Sequence, residues 1–173
     1  MSTDQTTVET EARAAYERYC ETRVRIDAGE LPWSALEDFF TDDAVFIDPA
    51  WGRVEGIENL REFWVESMQG LDGWSFPEAW TMVEGNRVVS MWWQEMGAGP
   101  DGATVRCPGI SILYYAGDGR FAYEHDLMNM AHVMEAITTS GWTPSAEFNM
   151  PPAAPVRDTS LPPHLASLTD DPL

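Results

Sequence analysis

The chain has 173 residues, enough for one domain with a sizeable core and a tail. Its 29 Asp and Glu against 10 Lys and Arg give a formal charge of -19, which opposes binding to nucleic-acid phosphates or to an anionic membrane. At 44% hydrophobic and 12% aromatic residues it is too apolar for an acidic disordered protein, so it must pack a globule.

Residues 1–10 are polar and acidic, without the basic and apolar halves of a leader, and no apolar run reaches membrane-spanning length. A cytoplasmic location is the expectation. Cys20 and Cys107 have neither metal-ligand spacing nor a disulfide framework and read as reduced core thiols.

Thr6 and Glu9 have the spacing of a capping box, which predicts a helix running to a stop at Gly29. Ala12, Tyr16, Tyr19, Arg23 and Ile26 share one face of it. That stripe is either a core face or a lid that points the Tyr16 or Tyr19 hydroxyl at a ligand. Ser34 and Glu37 repeat the capping spacing and predict a short helix over 35–40 that buries Leu36, Phe39 and Phe40, ended by a Thr41-Asp42-Asp43 turn. Residues 44–47 are apolar and β-prone and lead to Asp48, which Pro49 holds extended. Asp48 then has two readings, a cap on its own turn or a proton-transfer carboxylate raised in pKa by apolar surroundings.

After Gly52 and Gly56, Ile57, Leu60, Trp64 and Met68 keep one face of a third helix, closed by Gly70 and Gly73. Period-two strands follow. Residues 74–84 and 87–96 are joined by the hairpin dipeptide Gly85-Asn86, and 103–115 and 120–126 by Ala116-Gly117-Asp118-Gly119. Trp92 and Trp93 fall on opposite faces, so both faces need cover, the second from a dimer partner or the tail. Asp126 is placed to cap a last helix over 127–137 that ends near Gly141. From Thr143 the chain is rich in proline, cannot make a core of its own and is expected to be an extended or disordered tail, giving a cone domain over 1–142 and a tail over 143–173.

There is no glycine-rich phosphate loop, nucleophile elbow or zinc-spaced histidine pair, so neither cofactor nor metal is expected. His125 and Asp126 are adjacent on a strand and point to opposite faces, which argues against a metal shared with His132. Arg106 is either a cavity ion-pair partner or a surface one. If the sheet curls, Asp48 and Asp126 can meet at one cavity rim lined by Trp, Met, Phe and Tyr. Such a site suits proton abstraction beside a carbonyl, or acid-base opening of a ring, on an apolar molecule.

The sequence Phe39-Phe40-Thr41-Asp42-Asp43-Ala44, a strand ending in Asp48-Pro49, a glycine-led helix with Phe63-Trp64 and the long strands resemble the nuclear-transport-factor-two-like superfamily over 8–137. Within it the chain resembles the SnoaL-like polyketide cyclase and ketosteroid isomerase branches. The resemblance implies an α+β fold, a curved antiparallel sheet wrapped around helices in a cone, with a homodimer through the sheet's outer face. It implies an apolar pocket for a polyketide-, steroid- or terpenoid-like ligand. Asp48 would be the isomerase base, Tyr19 or Tyr16 an oxyanion donor, and Asp126 the acid-base residue of the cyclases. Ser111 stands where the isomerase has its second oxyanion donor, an Asp, and Asn129 where some relatives carry a further Asp. Tyr16, Trp51, Trp64, Trp92, Ser111, His125 and Asn129 are the expected ligand contacts. Related epoxide hydrolases use an Arg and two Asp; Arg106 and Asp126 match two of these, while Pro108 replaces the third. The scaffold also serves as a non-catalytic binding or interaction module, the alternative to an enzyme.

Overall fold

Helix α1 (Thr3–Asp27) lies along the hollow of a six-stranded curved sheet in the computed structural model, which describes residues 3–168. A 3₁₀ helix (Trp33–Phe39) turns the chain into β1 (Phe40–Asp48), and β2 (Gly52–Glu55) leads into α2 (Ile57–Met68). The strands β3 (Glu78–Glu84), β4 (Arg87–Ala98), β5 (Thr104–Gly117) and β6 (Arg120–Met128) form an antiparallel meander, and α3 (Met130–Ser140) closes one end. The sheet order is β2-β1-β6-β5-β4-β3. This is the α+β cone the sequence predicts, with one detail added: β1 runs parallel to β6 and makes the sheet mixed. Register shifts in β1, β3, β4 and β5 bend the strands around the helices. No helix among the described residues is long and apolar enough to cross a membrane.

Several boundaries move. Helix α1 already runs from Thr3, so Thr6 lies inside it and not at its cap. The 3₁₀ helix follows Pro32 with no side-chain cap, and Ser34 is its second residue. Thr41-Asp42-Asp43 is part of β1, not a turn: Phe40 is already paired with Phe121, and a bulge before Val45 absorbs the polar residues. Asp126 does not cap α3. β6 continues to pair Met128 with Gly109, and Asn129 caps the helix by accepting from the Ala131 and His132 amides at 3.1 and 3.4 Å.

The main core joins α1 and α2 to the hollow face of the sheet through Ala12, Tyr16, Phe40, Leu60, Trp64, Leu113 and Phe121. On the outer face Val45, Ile47, Tyr114, Ala122 and Tyr123 form a second cluster covered by Leu165. The segment after Thr143 therefore does enter a core. It runs without regular structure to a 3₁₀ helix (Pro163–Leu168), laid down as a strap. Two glycines seat it: a Cβ on Gly70 would lie 2.5 Å from the Phe148 backbone, and one on Gly52 2.6 Å from the Val156 carbonyl. The Arg53 amide donates to that same carbonyl at 3.0 Å.

Candidate functional site

A cavity of about 430 Å³ opens between the hollow face of the sheet, the helices and the strap, within the range of small-molecule sites. Period two decides what enters it. On β4, Trp92 and Gln94 face in; on β5, Ser111; on β6, Asp126 and Met128. Helix α1 adds Tyr19 and Arg23, α2 adds Phe63 and Trp64, and the strap adds Phe148 and Met150. The walls are thus mostly aromatic rings and methionines, around a few polar groups.

Those polar groups form a line across three strands. The Trp92 indole N–H donates to Ser111 Oγ at 2.9 Å, and the Ser111 hydroxyl donates to Asp126 Oδ1 at 2.5 Å. Gly109 makes this possible, because a Cβ there would lie 2.4 Å from the Trp92 ring. Glu124 sits two residues before Asp126 on the same face and is 2% exposed. Burial pushes its carboxyl well above the ordinary 4.5, and the charge of Asp126 adds to that. Burial likewise pushes Asp126 up to about 7, with Asp48 adding to the rise while the Ser111 hydrogen bond and Arg23 oppose it. Two carboxyls this close in a dry site do not both ionise. At neutral pH the pair retains a proton, because burial raises both carboxyls.

Tyr19 and Arg23 complete the inner end. The guanidinium lies over the rings of Trp33 at 4.8 Å and Phe76 at 5.5 Å, and donates to the Tyr19 hydroxyl at 3.4 Å. Burial lowers the pKa of Arg23, but Tyr19, Asp27 and Glu124 outweigh it and the group stays cationic. Burial raises the Tyr19 phenol well above 10, so it remains a donor.

Asp48 both caps its own turn and faces the cavity, its Oδ1 accepting from the Ala50 and Trp51 amides, each at 2.7 Å. Burial raises its pKa, against the pull of those two amides and of Arg157.

The cavity therefore brings together Asp48, Asp126, Tyr19, Trp51, Trp64, Trp92 and Ser111. Three predicted contacts do not reach it. Tyr16 is buried behind Tyr19, its ring stacked on that ring at 5.6 Å. His125 has the opposite strand parity to Asp126 and packs outside against Tyr123. Asn129 is spent on capping α3. Arg106 is outside as well, 4.1 Å over Trp93 and facing Glu95. Sequence reasoning placed Arg23 on the Tyr16–Tyr19 helix face without giving it a role, and it missed Glu124, although that residue stands two before Asp126 on a strand. Around the cavity Trp64 Nε1, Ser67 Oγ, Trp74 Nε1, Gln94 Oε1, Arg23 Nε and Glu124 Oε2 are buried without a hydrogen-bond partner.

Comparison with known proteins agrees with this architecture. A protein from Jannaschia sp. CCS1 designated a SnoaL-like polyketide cyclase superimposes with a TM-score of 0.60 at 20% identity, over 79% of this chain and 96% of its own. An LEH-like epoxide hydrolase of M. tuberculosis gives 0.58 at 17% identity, covering 76% and 92%. TerC, co-crystallised with polyporic acid, gives 0.56 at 16% identity, covering 74% and 98%. At such identities these likenesses concern the fold. A search of curated protein sequences finds no match. The model of the SnoaL-like domain matches residues 8–124, more than half of the chain, and the protein belongs to that family.

Proposed function

We propose that the protein is a cofactor-independent acid-base catalyst of the cyclase or isomerase type, acting on a polyketide-, steroid- or terpenoid-like carbonyl compound. One observation carries the reading: Asp126 faces an apolar cavity with its pKa near neutrality, beside a buried carboxyl that keeps its own proton. In its ionised form Asp126 takes a proton from the carbon next to the substrate carbonyl. The electron pair moves to the carbonyl oxygen, where the Tyr19 hydroxyl stabilises the enolate. The enolate then either takes the proton back from Asp126 at another carbon or attacks a second carbonyl of the same molecule, whose oxygen receives that proton. The ring-lined walls exclude water, which strengthens these interactions. Asp48 is assigned an accessory electrostatic role, since the turn already engages its Oδ1.

The test compares Asp126→Asn and Asp48→Asn on a panel of enolisable polycyclic ketones. Asp126→Asn is expected to lower turnover by about 100-fold or more with ligand binding retained, and Asp48→Asn to lower it less. Unchanged turnover in Asp126→Asn would discard the catalytic reading. Ligand binding without turnover by the wild type would favour the non-catalytic binding module.

The same reading includes a homodimer. Trp80, Met82, Ile110 and Leu127 are exposed, and Trp80 and Met82 on β3 share with Ile110 on β5, across β4, the outer sheet face not covered by the strap. Light scattering at micromolar protein is expected to give twice the chain mass; a monomer refutes the dimer.

A further inference from the structure

Arg23 stands apart from the ion-paired arginines of this acidic chain. Arg13, Arg25, Arg53, Arg61, Arg106 and Arg120 each face a carboxylate in an ion pair, and all six lie outside the cavity. Arg23 is drawn into the cavity and, among the described residues, forms no ion pair; its one hydrogen-bond acceptor is the Tyr19 hydroxyl at 3.4 Å. Its Nε is buried without a partner. The faces of Trp33 and Phe76 hold the cation through their π-systems, an attraction that uses none of its five N–H donors. Asp27, Glu124 and Asp126 act on it through their charge, but none of them forms an ion pair with it among the described residues. A guanidinium with unused donors facing an apolar cavity favours an anion that meets it. Its planar fork fits a carboxylate by two parallel hydrogen bonds.

Beyond this head the walls are apolar. Phe76 stands edge-on to Trp33 at 5.9 Å and to Trp92 at 6.0 Å, so a file of rings leads from Arg23 toward the Ser111–Asp126 pair. We infer that the ligand is an amphiphilic acid, a fused or aromatic ring body bearing one carboxylate that seats on the Arg23 guanidinium. This rests on the cavity being the ligand site. It adds that recognition is by charge at the inner end, although the chain's net charge of -19 disfavours anions elsewhere.

The test is calorimetric binding of anthracene-2-carboxylate and its neutral isostere anthracene-2-carboxamide to the full chain at neutral pH. The wild type is expected to bind the acid about tenfold or more tightly than the amide, the scale of a charge-assisted hydrogen bond. Arg23→Met, which keeps the stem over the rings, should abolish that preference and leave amide binding unchanged, and Arg23→Lys should restore part of it. Equal binding of acid and amide by the wild type, or binding of neither, overturns the inference without any variant, so a folding defect in Arg23→Met cannot mask the answer. An acid preference that survives in folded Arg23→Met overturns it too. The acid preference is read by binding alone and should persist in Asp126→Asn. If Asp126→Asn leaves turnover intact while the preference stands, only the catalytic reading falls; if turnover collapses and acid and amide bind alike, only this inference falls.

Discussion

At Glu124 a carboxyl keeps its proton because it is enclosed, and stability must follow pH accordingly. Between the ordinary value of 4.5 and its raised value in the fold, the native chain holds a proton that the unfolded chain has released. Unfolding then releases a proton, so this residue's contribution to stability falls as pH rises through that window. Glu124→Gln keeps the shape and cannot ionise. Urea unfolding from pH 4 to pH 8 should show the variant gaining on the wild type steadily as pH rises; parallel curves would mean that Glu124 ionises freely in the fold. The place of Asp48, capping its own turn at a strand end, was legible from the sequence, since Asp before Pro is a local signal. Glu124 was not, because nothing local marks it: its placement follows from the inward parity of Asp126, and that parity is fixed only when Ser111 is found opposite.

The crossing of β4 and β5 shows how an element depends on what it lacks. Gly109 gives the Trp92 indole room to lie over β5 and reach Ser111. Gly109→Ala places a methyl group against the ring, so Trp92 must move and release Ser111. A loss of roughly 1–3 kcal/mol is expected, read by thermal unfolding, with a shift in tryptophan emission. An unchanged melt and spectrum would show that the ring yields without cost. Helix α2 was readable because its signal is local, Ile57, Leu60, Trp64 and Met68 repeating on one face. The polar start of β1 and the last turn of β6 were not readable, because each is strand only by virtue of a partner far along the chain: Phe121 for Phe40, and Gly109 for Met128.

For the whole molecule, the strap is the largest departure from what composition conveys. Proline content predicts an extended path but not where it lies; that is settled by Gly52 and Gly70, whose missing side chains admit Val156 and Phe148. Removing residues 143–173 should lower the melting temperature, because Leu165 leaves the outer cluster, and should weaken binding of the anthracene probes, because Phe148 and Met150 leave the cavity wall. Equal stability and affinity after truncation would deny the strap both roles. The cone itself was legible through the order of helices and strands and the turn dipeptides between them, since those are set by short-range chemistry.

The strap touches two places that have no other direct link: the mouth of the cavity at Phe148 and Met150, and the back of the sheet at Leu165. A molecule that fills the cavity braces the first contact and so retards the peeling of the whole segment, including its far end. The susceptibility of residues 152–162 to a protease is then a gauge of occupancy, slowing as ligand is added and returning to its starting rate when ligand is dialysed away.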